Sequence, residues 1–98
     1  MLKEHLEAKV VMPNDVQELI VLPMGVHERL HKLQDIVGGN IEAIPLPCGQ
    51  HMVMNADGKL GPHQVNITAT MIAFIHEAIA DDDYIAGPAV IVSTSVLE

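Results

Sequence analysis

The 98-residue chain has no tryptophan, one phenylalanine, one tyrosine, one cysteine and only five basic residues. Each scarcity removes a class of protein. A single cysteine, Cys48, forms no intramolecular disulfide, so a secreted, disulfide-stapled scaffold is excluded. Five Lys and Arg against thirteen Asp and Glu give a formal net charge of −8. Without clustered cations to grip phosphates, no nucleic-acid partner is expected. No apolar run approaches the roughly 18 residues that span a bilayer, so no membrane partner is expected. The opening Met1-Leu2-Lys3-Glu4-His5 lacks the apolar core of a signal peptide, and a cytoplasmic setting is expected.

What is present is aliphatic. Hydrophobic residues make up 49% of the chain and charged residues 18%, which excludes the composition of a disordered segment. A core of Val, Ile, Leu, Ala and Met without aromatics is thin per side chain, and a chain this short buries only about 60–65% of its unfolded surface. A homo-oligomer is the expected way to bury more.

Residues 1–7 read as a loose N-terminal arm of a single domain spanning 1–98. Val10-Val11-Met12 and Glu18–Leu22 are β-rich runs separated by Pro13-Asn14-Asp15, which is hairpin chemistry. From Val26 to Val37 the period changes to 3.6, with Val26, Leu30, Leu33 and Val37 on one face, and Gly38-Gly39 ends that helix. Ile41–Leu46 and His51–Met54 give two more strands, the first an exposed edge with Pro45 in it. Asn66 caps a helix expected from Ile67 to about Ala80. Its apolar residues Ile67, Met71, Ile72, Phe74, Ile75, Ala78 and Ile79 cover a broad arc that reads as buried. Ala89–Val92 is a last strand, apolar at successive positions and so expected at the sheet centre. The fold class is α+β: one mixed, largely antiparallel sheet of about five strands packed against two helices, in the order strand-strand-helix-strand-strand-helix-strand.

One motif names a chemistry. His27-Glu28-Arg29-Leu30-His31 matches H-E-x-x-H, in which two histidines four apart on a helix hold Zn²⁺ and the glutamate activates its water. On the wheel the histidines lie about 90° and 130° from the apolar centre, on a solvated flank. A third protein ligand is needed, and nothing in the spacing selects Glu42 or His51 for it. The match is read as coincidental, with a zinc hydrolase as the alternative it would imply, and no cofactor is expected. Asp81-Asp82-Asp83 lacks the ladder of a calcium loop, and Cys48 lacks the companions of a nucleophile.

A second cluster is quieter: Glu42, Lys59 and Asn66, with Asn55, Asp57 and Thr70 around them. Glu42 shares a strand face with Ile44 and Leu46, and a carboxylate near apolar surface wants a partner such as Lys59 or the amides at Asn66. A small-ligand or nucleotide-binding module is the function this cluster would support. The structural reading is favoured: turn closure by Asn55 and Asp57, a helix cap by Asn66, and a buried hydrogen bond from Thr70.

These residues also carry a resemblance. Val10-Val11-Met12-Pro13, the helix from Leu30 into Val37-Gly38-Gly39, Ile41-Glu42, Asn55 to Lys59, Asn66 with Ala69-Thr70, and Ile85-Ala86-Gly87-Pro88-Ala89 resemble an uncharacterised family of small proteins, a domain of unknown function found in bacteriophages and actinobacteria. Gly61-Pro62-His63-Gln64 departs from the proline-rich connection expected there. His27 and His31 lie outside the resembling positions. The resemblance implies a phage-encoded protein acting in the host bacterial cytoplasm, and it implies no reaction. A compact acidic domain with no complete site and an exposed sheet edge at Ile41–Leu46 is read as a non-enzymatic accessory protein that binds a host or phage protein.

Overall fold

The computed structural model describes residues 6–97. Its elements are β1 (Glu7–Val11), β2 (Gln17–Val21), α1 (Val26–Val37), β3 (Ile41–Leu46), β4 (Gln50–Asn55), α2 (Ile67–Ile75) and β5 (Ala89–Ser93), followed by a short 3₁₀ turn over Thr94–Leu97. The five strands form one sheet in the order β2-β1-β5-β4-β3, and all four pairings are antiparallel. The apolar β5 lies at the centre, as its composition requires, and β3 is an edge. Residues 1–5 of the expected N-terminal arm lie outside the described residues. Leu6 is buried, its carbonyl accepts from the Leu22 amide at 2.8 Å, and Glu7 opens β1.

Alternation along the strands divides the core into two. One sheet face carries Ala8, Val10, Val53, Val90 and Val92, packed with Leu33 and Val37 of α1 and with Val96. The other carries Val11, Met52, Met54 and Ala89, packed with Ala69 and Ala73 of α2 and with Ile85. Because neighbouring strand residues point to opposite faces, the two helices sit on opposite sides of the sheet. Only the C-terminal half of the α1 stripe is buried. Val26 and Leu30 remain 67% and 40% exposed. Arg29 folds back at this end, its guanidinium donating to the carbonyls of Val96, Pro23 and Met24.

The expected span and burial of α2 both need correction. The helix stops at Ile75 rather than Ala80, and four residues of its apolar arc face solvent: Ile67 (66% exposed), Met71 (51%), Phe74 (46%) and Ile75 (64%). The early stop has a definite cause. Glu77 adopts φ 57°, its amide donates to Phe74 O, and the Ala78 amide reaches back to Ala73 O. This is a Schellman closure with glutamate at the left-handed position that glycine usually fills. No glycine announces the stop, so the apolar periodicity runs past it. Glu77→Gly is therefore expected to stabilise the fold by about 1 kcal/mol, by removing the left-handed penalty. A urea melt reads it, and an unchanged or lower midpoint would contradict the assignment.

Candidate functional site

The cleft beside the β3 edge is built from the turn that follows β4. Asn55 is buried, and its side chain works in two directions. The amide donates to Val37 O at the end of α1 (3.0 Å), and Oδ1 accepts from the Asp57 amide (2.7 Å). This Asx turn is closed by Gly58 N donating to Asn55 O and Leu60 N donating to Asp57 O. Gly58 presses on the segment entering β5, where a Cβ would stand 2.9 Å from Ala86 O. The turn is thus held from both sides, and it delivers Lys59 to Asp83 and Tyr84.

Lys59 forms an ion pair with Asp83 and lies 5.0 Å from the centroid of the Tyr84 ring. Asp83 Oδ1 also accepts from the Tyr84 amide at 2.8 Å. The hydrogen bond to Asp83, reinforced by the nearby charges of Asp83, Tyr84 and Glu42, holds the Lys59 ammonium above its ordinary 10.5. The same hydrogen bond, then that of the Tyr84 amide, holds the Asp83 carboxyl below its ordinary range. Glu42 comes from β3, opposite Met54, and completes the rim. The cleft measures about 280 Å³, with Ile44, Met54, Ile79 and Ile85 among its apolar lining. Glu42, Asp57 and Asp83 set three carboxylates against one ammonium, a balance that repels phosphate and does not suit a nucleotide.

Of the three residues in the sequence-derived cluster, the structure brings Glu42 and Lys59 together and leaves Asn66 elsewhere. Asn66 is fully buried. Its amide donates to Val11 O (2.8 Å) and Gly87 O (2.9 Å), and its Oδ1 accepts from the Ala69 amide (3.0 Å). Every polar atom of that side chain is occupied by its own backbone. Thr70 likewise accepts from the Ile85 amide at 2.9 Å.

His27, Glu28 and His31 lie on the exposed flank of α1. Of the two third ligands considered, Glu42 points to the sheet face away from α1, and His51 Nδ1 is engaged with Thr94 Oγ1 at 2.9 Å. Among the described residues no group of three or more His, Cys, Asp or Glu is placed to hold a metal ion, and no helix is long and apolar enough to cross a membrane.

The sequence reading missed the outer stripe of α2. Small residues, Ala69 and Ala73, face the sheet and let the helix approach closely. The large residues Ile67, Met71, Phe74 and Ile75 fall at i, i+4, i+7 and i+8 on the outside. The spacing of the two alanines was the available signal, since alanine packs inward only where a helix lies close to its neighbour. A depression of about 590 Å³ adjoins the stripe, lined by Phe74, Ile75, Glu77, Ile79 and Asp81. Ile79 lines both this depression and the Lys59 cleft.

Residues 8–96 match the family model described as Domain of unknown function (DUF3846). Neither a curated protein nor a solved structure matches the chain.

Proposed function

The chain belongs to that family, and we propose that it is a non-enzymatic binding module that presents the outer stripe of α2 to a groove on another protein. The observation that carries the reading is the inverted helix: alanines inside, and Ile67, Met71, Phe74 and Ile75 outside. An amphipathic helix laid into an apolar groove is read at just such i, i+4 and i+7 anchors. A contiguous apolar surface on a chain otherwise rich in acid marks an interaction site more readily than scattered exposed residues do.

The rim tells what the partner looks like. Asp15 is hydrogen-bonded to Thr68 at the start of α2 (2.6 Å), and Glu77 and Asp81 border the other end. With acid at both ends, the complementary groove is apolar with lysines or arginines flanking it. The proposed setting is the cytoplasm of a bacterial host, with a host or phage protein as partner. That setting is what the resemblance of Asn55–Lys59, Asn66 and Ile85–Ala89 to a family of phage and actinobacterial proteins implies.

The test starts with parallel captures on the wild-type chain and on Met71→Glu, whose side chain faces solvent and leaves Ala69 and Ala73 in place. A protein held by the wild type is then purified and titrated against both. Met71→Glu is expected to weaken binding at least about tenfold, as for a central apolar anchor, and added salt to weaken it further. Equal binding by the two chains would overturn the reading.

A further inference from the structure

The two edges of the sheet are not alike. Between β1 and β2, the Leu22 amide donates to Leu6 O (2.8 Å) and the Met12 amide to Val16 O (2.9 Å). The register between these bonds sets Ala8 opposite Ile20 and Val10 opposite Glu18. Hydrogen-bonded and open pairs alternate along an antiparallel ladder, so the even-numbered residues of β2 bond to β1. Gln17, Leu19 and Val21 therefore turn their N–H and C=O groups away from it. Among the described residues no strand pairs beyond β2, and all three of these residues are exposed, Leu19 by 73%. At the other edge the Ala56 amide donates to Asn40 O (2.8 Å). The same alternation turns Ile41, Ala43 and Pro45 outward, and Pro45 has no N–H to offer. Proline thus guards β3, while β2 is left as an open row of donors and acceptors.

We propose that β2 pairs edge to edge with β2 of a second copy, antiparallel, joining the two sheets into one. The argument is that β2 complements itself under a two-fold axis normal to the sheet and passing beside Leu19. That axis sets Leu19 against the second copy's Leu19, Gln17 against its Val21 and Val21 against its Gln17. Every outward N–H and C=O of these residues gains a partner. Glu18 falls beside the second copy's Ile20, so no like charges meet across the seam. The neighbouring registers are poorer. An axis beside Glu18 brings the two Glu18 carboxylates together. An axis beside Ile20 sets Gln17 against Pro23, which has no N–H and whose carbonyl is taken by Arg29. The helices leave room for the seam. α1 lies against β3, β4 and β5, and Val11 is the residue of β1 that packs with α2. In the joined sheet Val11 stands level with the second copy's Glu7, about 13 Å along the strand from its Val11. The two α2 helices therefore sit toward opposite ends of the seam.

The full chain is followed by sedimentation equilibrium from micromolar to near-millimolar concentration, with circular dichroism to confirm the fold of each variant. The wild type is expected to approach twice the 10.6 kDa chain mass. Leu19→Pro removes an outward N–H from each copy and leaves the bonds to β1 in place. It is expected to raise the dissociation constant about tenfold or more. Ala43→Pro makes the same change on the β3 edge and is expected to leave the dimer intact, as is Met71→Glu on the α2 stripe. Gln17→Glu with Val21→Lys sets opposite charges across the seam and is expected to tighten the dimer about threefold or more. Amide exchange on the wild type needs no variant: Gln17, Leu19 and Val21 are expected to gain protection as concentration rises, while Ile41 and Ala43 do not. A wild type that is monomeric throughout overturns the proposal. So does a dimer without that protection, one indifferent to Leu19→Pro, or one lost on Ala43→Pro. A dimer that Leu19→Pro breaks and the charged pair fails to tighten overturns the register.

Discussion

Asn66→Asp is expected to cost this chain about 3–5 kcal/mol, the usual cost of stranding a buried charge, a large share of a total on the order of 5–15 kcal/mol. The amide of Asn66 is the donor for two carbonyls, Val11 O on β1 and Gly87 O just before β5. Aspartate replaces that donor with an oxygen. Ionised, it places negative charge against two carbonyl dipoles in a fully buried site, and protonated, it serves at most one of them. The helix cap itself survives, because Oδ1 can still accept from the Ala69 amide. Asn66→Ser separates the two roles: the hydroxyl keeps the cap but cannot span to both carbonyls. Its loss should fall between wild type and aspartate, at about 2–3 kcal/mol for two orphaned acceptors. Urea unfolding followed by circular dichroism gives all three values. A loss under about 1 kcal/mol for aspartate, less than one buried unsatisfied group costs, would mean that Asn66 is a ligand-facing residue and not the pin of three elements.

Asn66 also shows how much of the molecule the sequence disclosed. Its capping role is legible because Asn before an apolar helical run is a local signal. Its two long-range bonds, to residues 55 and 21 positions away, depend on which strands become neighbours. Elements governed by local rules follow the sequence closely: α1 and β3 have the expected bounds, and the apolar β5 is central. The departures come where packing overrules periodicity. In α2 the same apolar arc fits two orientations, and small inner residues decide between them. In β2, Leu19 and Val21 belong to an aliphatic run, yet an edge strand at the uncovered end of a sheet leaves them exposed. Arg29 reads as a charge on the flank of a zinc-like motif. It instead clasps the carbonyls of Pro23, Met24 and Val96, and its bond to Val96 spans 67 positions that no local pattern could anticipate.

The Lys59 cleft occupies a middle ground. That Glu42 and Lys59 converge was readable from a strand-borne carboxylate in need of a cation. That Asp83 takes the lysine first was not, because Asp81-Asp82-Asp83 reads as a polar exit from a longer helix. The early stop at Ile75 frees those residues to return toward the turn, and Tyr84 follows Asp83 into position beside the ammonium.

Gly58→Ala should show how much of this depends on backbone contact alone. An added Cβ would stand 2.9 Å from Ala86 O and 3.3 Å from Asn55 O. Both are main-chain atoms, so no rotamer change relieves the crowding. Either the Asn55–Lys59 turn lifts, which strains the Asn55 side-chain bonds to Val37 O and Asp57 N, or the 85–87 segment retreats from the bridge between Val65 and Ala86. The expected cost is about 2–3 kcal/mol, toward the upper end for overpacking a close-fitted site. Gly61→Ala is the matched comparison. Its nearest neighbour is the ring of His63, 3.2 Å from the added carbon, and a side chain can turn aside where a carbonyl cannot. Its cost should stay below about 1 kcal/mol, within the range of tolerated surface changes. Because Lys59 follows Gly58 directly, lifting the turn should also separate the ammonium from Tyr84, which the chemical shifts of the tyrosine ring protons would register. Equal costs for the two alanines, with unmoved Tyr84 resonances, would show that the turn is not clamped by Ala86. A larger cost at Gly58, with shifted resonances, ties the shape of the cleft to a single missing side chain.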